Sequence, residues 1–241
     1  MADLRTAGLQ LTIRRIQNTK TEIKELFMKI LRCARSLVAG LALLATTALA
    51  EREFGGYEPK AGDVVFQALG NSPLIDMIEG CTKSGYSHCG LVAQKDGKWV
   101  VIEAIGPVRE IPLGDWIQQG RKDGFAAYRL KAPFAAKADA FVKAAYTFLG
   151  KPYDIRYRLD DEKIYCSELV WKSFRKATGE DLGKLMKLKE LDWKPYVALI
   201  KQLENGDVPL EREIITPVAV ARAKQLERVY ARDIAEATGN N

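Results

Sequence analysis

The chain has 241 residues, 47% hydrophobic and 28% charged, which is the balance of an ordinary folded domain and excludes a disordered or low-complexity protein. Its formal charge of +6 is unevenly spread: residues 1–50 hold 8 Lys/Arg against 3 Asp/Glu, so five of the six units sit there. The remainder is nearly neutral, with no basic cluster interleaved with aromatics, which leaves no support for a nucleic-acid partner.

The charged start reads as a leader. Lys29, Arg32 and Arg35 precede the apolar run Leu37 to Ala45, and Ala48-Leu49-Ala50 supplies an A-x-A cleavage site. The run is too short to span a membrane, for which about 20 apolar residues are needed. Residues 1–27 are too long and too mixed in charge for the front of a signal, whereas Met28-Lys29-Ile30-Leu31-Arg32 is an ordinary signal start. The expected organisation is therefore a non-native extension over 1–27, a signal peptide over 28–50 and one domain over 51–241. Cys33 precedes the apolar run and so cannot be the acylated cysteine of a lipoprotein. The mature protein is expected to be periplasmic or secreted, with no transmembrane segment. It would keep Cys81, Cys89 and Cys166, an odd number, so at least one thiol stays unpaired. Cys81 and Cys89 are left as either bridged or buried. A zinc site from these cysteines and His88 ranks below catalysis, because no C-x-x-C pair is present; no metal or organic cofactor is expected.

In chain order, Gly62 to Gln67 reads as a first strand and Leu74 to Glu79 as a short helix. Ser87 to Lys95 and Lys98 to Ile105 are two strands joined by Asp96-Gly97, a dipeptide favoured in type I′ hairpins. A two-residue turn pairs Lys95 with Lys98 and, continuing, Gly90 with Glu103, Cys89 with Ala104 and His88 with Ile105. Pro107 to Pro112 and Phe125 to Leu130 continue the sheet, with a helical turn over Leu113 to Gln119. A helix opens at Pro133, carries Phe134, Ala138, Phe141, Val142, Ala145, Phe148 and Leu149 on one face, and ends at Gly150. After a loop bearing Tyr153 and Asp154, a helix runs from Cys166 to a stop at Gly179, with Glu168 and Lys172 as an exposed i,i+4 pair. Leu182 to Glu204 is charged and partly helical, and Thr216-Pro217 caps a last helix rich in Ala and Arg.

Two residues carry the chemistry. Cys166 sits in the first turn of its helix, where unpaired backbone N–H groups and the helix dipole favour a thiolate. A thiol nucleophile usually needs an imidazole, and the chain has one histidine, His88. In the hairpin register His88 and Glu103 are diagonal neighbours on one face, about 7–8 Å apart in backbone, with Gly90 leaving room between them, so Glu103 can orient the ring. Cys89 falls on the other face among Leu91, Ala93, Val100 and Ile102 and reads as core, outside the site. Ser167, in the first helical turn, is a candidate for holding substrate or oxyanion.

Gly62-Asp63-Val64-Val65-Phe66, Ser87-His88-Cys89-Gly90-Leu91, Glu103-Ala104, Gly150 to Asp154 and Tyr165 to Val170, in this order, resemble the YiiX-like branch of NlpC-type cysteine peptidases. The resemblance covers about residues 57–175 and implies an α+β, circularly permuted papain-like fold, with an antiparallel sheet packed against the nucleophile helix. It implies Cys166 as nucleophile, His88 as general base and Glu103 as third residue, and Tyr153 as an oxyanion or substrate-positioning group. The activity it implies is an exported thiol hydrolase that forms a thioester acyl-enzyme and cleaves amides of peptidoglycan peptides. The alternatives are an acyl-amide or lipid hydrolase or acyltransferase, and a non-catalytic wall-binding module. Residues 176–215 lie outside the resemblance and are read as a region that shapes specificity.

Overall fold

The computed structural model describes residues 54–234, so the leader and the start at Met28 lie outside the described residues. The elements are β1 (Val64–Leu69), α1 (Pro73–Thr82), β2 (His88–Lys95), β3 (Lys98–Ala104), β4 (Val108–Pro112), α2 (Leu113–Gln119) and β5 (Gly120–Leu130). Then follow α3 (Ala138–Tyr146), α4 (Cys166–Thr178), β6 (Met186–Lys187), α5 (Val197–Glu204), β7 (Glu213–Ile214), α6 (Pro217–Ala221) and β8 (Leu226–Arg232). Six strands form one antiparallel sheet in the order β4-β3-β2-β1-β5-β8, and β6 pairs with β7 apart from it. No described helix is long and apolar enough to cross a membrane.

The hairpin turn is as its sequence demands, with positive φ at both Asp96 (50°) and Gly97 (75°). The ladder descends from Lys95↔Lys98 to Gly90↔Glu103 and stops there. Cys89 and His88 are not paired with Ala104 and Ile105, although β3 goes on one residue further on its other side, where Ala104 pairs with Val108 of β4. This early stop opens the edge of β2 where the site forms.

Alternation divides the sheet into two packed faces. Phe66, Cys89, Leu91, Ile102 and Ala104 belong to one buried cluster with Phe141 of α3 and Leu169, Val170 and Phe174 of α4. The face bearing Gln67, His88 and Glu103 is covered by α2, whose Trp116 lies 6.2 Å from the His88 ring and edge-on to Phe125. The helix begun at Pro133 is a 3₁₀ turn over Phe134–Lys137 followed by α3, and it ends near Thr147, short of Gly150. Leu149, expected on its buried face, is 43% exposed.

The C-terminal reading needs correction. Thr216 does cap α6, its hydroxyl accepting from the Ala219 amide at 3.2 Å, but that helix has only five residues. Leu226–Arg232 is a strand that pairs with β5. Helix propensity of the Ala and Arg residues yields to the unpaired edge of β5, whose backbone groups need partners.

Asp63, fully buried, ties β1 to β5: its carboxylate accepts from Arg129 Nε and Nη2 at 2.8 Å each and from the Tyr57 hydroxyl at 2.7 Å. Removing one partner of such a pair strands a buried charge. Arg129→Met should therefore lower unfolding free energy by about 3 kcal/mol, measured by urea denaturation; an unchanged midpoint would show that the pair does not hold the sheet.

Candidate active site

The nucleophile helix begins as its sequence allows. The Tyr165 amide donates to the Glu168 carboxylate at 3.2 Å, closing the first turn, and Gly179 ends the helix in the left-handed region at φ 80°. Glu168 also meets Lys172 at 2.9 Å, as the spacing suggests, but Glu168 is fully buried and Lys172 half-buried rather than exposed. Burial pushes the Glu168 carboxyl up to about 7 against the pull of Lys172.

Cys166 and His88 come together. By alternation His88 faces α2 whereas α4 packs on the opposite face, yet the two meet because His88 is the first residue of β2 and the ladder with β3 has ended. Cys166 occupies this open edge. The polar groups acting on its sulfur are the Cys89 thiol and amide and the His88 ring. These groups hold the Cys166 thiol well below its ordinary pKa: the Cys89 thiol contributes most, burial opposes, and the charge and hydrogen bond of His88 restore the shift. The imidazole responds in the opposite sense. Burial would lower it, but Cys166 and then Glu103 raise it to about 9. Both shifts favour a thiolate beside an imidazolium.

The ring is held on its far side. His88 Nε2 lies 2.8 Å from Glu103 Oε2, which leaves Nδ1 for the sulfur, and Glu103 Oε1 accepts from Arg109 Nε at 2.9 Å and Nη2 at 2.7 Å. Burial pushes the Glu103 carboxyl up, but His88 and Arg109 together outweigh it and keep the group ionised. Gly90, opposite Glu103, has no room for a side chain: a Cβ there would lie 3.0 Å from the Ile102 carbonyl and overlap Val101.

Two residues of this arrangement escaped the sequence reading. Cys89 is in the core, as its alternation predicts, at 0% exposure, and it also acts on Cys166. No sequence signal marks this, since the register set by the turn pairs Cys89 with Ala104, a pair the ladder does not form. Arg109 was not singled out, although the short turn from Ala104 to Val108 sets it opposite Glu103.

Of the remaining candidates, Tyr153 lies close enough to feel the charge of Cys166. Burial first, then Tyr157 and that charge, keep its phenol protonated as a donor. Its loop is organised by buried Asp154, which accepts from the amides of Arg156 at 3.0 Å and Arg158 at 2.8 Å. Ser167 does not offer its hydroxyl to a ligand, since that group donates to the Ile215 carbonyl at 2.9 Å and binds the segment before α6 to α4. Cys81, Cys89 and Cys166 are all free and buried, so the bridge left open above is not formed. Among the described residues no group of three or more His, Cys, Asp or Glu could hold a metal ion.

Beside Cys166 opens a recess. Met77, Ile78 and Cys81 of α1 form one wall, and the segment 188–215, through Leu188, Ile200 and Leu203, forms the other. Its lining is almost wholly apolar. Arg212 stands at one side, engaged by Glu204 at 2.5 Å and 2.9 Å, and Arg156 donates to the Leu203 carbonyl at 3.0 Å.

Because the imidazolium stabilises the thiolate, replacing it should slow the sulfur's reactions. Iodoacetamide should modify Cys166 rapidly at neutral pH and at least about tenfold more slowly in His88→Ala, each pKa unit being worth about 1.4 kcal/mol. Rates indifferent to that substitution would contradict the ion pair.

Comparison with known proteins gives the family. Residues 58–230 match the family model described as permuted papain-like amidase enzyme, YaeF/YiiX, C92 family. The chain is 36% identical over 176 residues to the Uncharacterized protein YiiX of Escherichia coli (strain K12), covering 72% of this chain and 87% of that one. A crystal structure of the metalloprotein YiiX from Escherichia coli O157:H7 superposes with a TM-score of 0.67 at 34% identity, over 73% of this chain and 99% of the other. The six-stranded antiparallel sheet, the histidine strand preceding the cysteine helix and these matches together show that the chain belongs to the YaeF/YiiX family of permuted papain-like cysteine amidases.

Proposed function

We propose that the chain is a thiol amidase that removes apolar acyl groups from an amine, with Cys166 as nucleophile, His88 as acid and base, and Glu103 as the residue that orients the ring. The observation that carries the substrate class is the apolar recess that Cys166 helps to line. An acyl chain laid in it would gain about 0.8 kcal/mol per buried methylene and present its carbonyl to the thiolate.

The steps follow from the residues in place. The thiolate attacks the amide carbonyl while N–H groups of the first turn of α4, with the protonated Tyr153 phenol nearby, stabilise the oxyanion. The imidazolium of His88 gives its proton to the leaving amine as the carbon–nitrogen bond breaks, which leaves a thioester. The neutral ring then takes a proton from water, hydroxide adds to the thioester carbonyl, and the acid leaves as the thiolate is restored. Glu103, clamped by Arg109, stays ionised and compensates the ring's charge. With an amine or alcohol in place of water the same thioester would yield acyl transfer.

Peptidoglycan stem peptides remain the second reading through family analogy alone. They carry carboxylates, and the basic groups by the recess are already engaged: Arg212 by Glu204 and Arg156 by a backbone carbonyl. A non-catalytic wall-binding role leaves the buried Cys166, His88 and Glu103 set without a purpose. The signal-like leader over 28–50 supports an exported enzyme, acting in the periplasm or outside the cell on envelope-derived acyl amides.

The test is a panel of N-acyl amino acids of increasing chain length beside defined stem peptides, with products identified by mass spectrometry and Cys166→Ala as control. The value of kcat/KM should rise about three- to fourfold per methylene until the recess is filled, and Leu203→Gln should raise KM for long chains only. The rate should fall as pH rises through about 9, where His88 loses the proton it must donate. Cleavage of stem peptides with no turnover of acyl amides would overturn the substrate class.

A further inference from the structure

The polar groups that line the recess are spoken for, with one exception. The hydroxyls of Thr82 and Ser167 donate to the carbonyls of Ile78 and Ile215, and those of Ser87, Tyr165 and Thr216 accept from the amides of Leu69, Ile215 and Ala219. Arg212 pairs with Glu204, and Arg156 donates to the Leu203 carbonyl. Tyr157 lines the recess together with Cys166, and its hydroxyl is buried without a hydrogen-bond partner among the described residues. Its ring stands edge-on to Tyr165 at 5.2 Å and to Tyr153 at 6.4 Å. Tyr153 is near enough to act on the phenol, but no hydrogen bond of ordinary geometry joins the two. A phenylalanine would pack against those rings as well, and a buried hydroxyl left unpaired costs stability, so the oxygen itself calls for a reason.

The backbone points the same way. Tyr157 is held at φ 53°, in the left-handed region that a bulky residue seldom adopts. Asp154 imposes it: its carbonyl accepts from the Tyr157 amide at 3.2 Å, while its carboxylate takes the amides of Arg156 and Arg158 on either side. One buried residue thus fixes a costly conformation and, with it, the direction of the ring.

We propose that Tyr157 is a substrate-binding residue, whose hydroxyl selects acyl chains that carry a hydroxyl or keto oxygen along the part lying in the recess over plain hydrocarbon chains. The inference rests on the acyl-amidase reading given above. Burial, above all, keeps the phenol protonated, so it can donate to that oxygen. A plain chain fills the same space but covers the phenol and leaves it unpaired, and a buried polar group left without its partner is what discriminates most strongly between otherwise similar substrates.

The test measures kcat and KM of the wild type and Tyr157→Phe on N-acylglycines whose dodecanoyl chain is plain or carries one hydroxyl at successive carbons. The wild type should favour one hydroxylated isomer over the plain chain by about tenfold in kcat/KM. Tyr157→Phe should abolish that preference, with the loss appearing as a higher KM for the favoured isomer. Its urea midpoint should not fall, because the hydroxyl removed has no partner in the fold; a lower midpoint would show that the fold uses it and would overturn the proposal. Indifference of the wild type to the added hydroxyl would also overturn it. So would a loss of kcat in Tyr157→Phe that is equal for plain and hydroxylated chains, which would place the phenol at the oxyanion. These results leave the acyl-amidase reading standing, since acyl amides are still cleaved. Cleavage of stem peptides with no acylglycine turned over would overturn that reading, and the inference with it.

Discussion

The site depends on a ladder that ends early. Because β3 leaves β2 after the Gly90↔Glu103 pair to form a hairpin with β4, the Cys89 amide faces a gap instead of a carbonyl. A thiolate can fill that gap and accept from the amide, so a hydrogen bond that a sheet would otherwise use is turned to stabilising charge. The same departure lets His88, on the α2 face, reach round the strand start to a helix packed on the other face. It also sets Arg109 behind Glu103, which closes a chain of alternating charge from thiolate to imidazolium to carboxylate to guanidinium. Cys166, His88 and Glu103 are buried while Arg109 reaches the surface, and His88 moves both of its neighbours toward the charged form.

Much of this was legible because local rules carried it. Asp96-Gly97 fixed the hairpin register, and register placed His88 and Glu103 on one face before any tertiary contact was considered. The helix from Cys166 to Gly179 was bounded by a left-handed glycine and a periodic apolar face. Failures occurred where non-local pairing overrides local preference. Leu226–Arg232 has residues suited to a helix, yet the free edge of β5 recruits it as a strand. Cys89 alternates onto the core face, and alternation alone does not say that the core at that point is the nucleophile. Arg109 needed the second hairpin register, which rests on a turn through Ile105-Gly106-Pro107 with no two-residue signature.

On the proposed function the region 188–215, whose sequence pattern is weakest, is the one that would select the substrate. Its elements are short and its pattern weak, and it is tied to α1 through the Asp192 amide on the Cys81 carbonyl and to the Asp154 loop through Arg156 and Arg212. Only in three dimensions do Leu188, Ile200 and Leu203 face Met77 across a recess that leads to Cys166. Ser167 anchors this segment through the Ile215 carbonyl, so a residue expected to touch substrate instead secures the wall that would hold it.

The account turns on the resting charge of one sulfur and one ring, and the single histidine makes the ring directly observable. Proton NMR titration of the untagged protein should show one imidazole that stays protonated through neutrality and titrates near 9, and whose midpoint falls in Cys166→Ala, where the thiolate partner is gone. A ring that titrates at its ordinary value near 6.5, unmoved by Cys166→Ala, would contradict the ion pair on which the proposed chemistry stands.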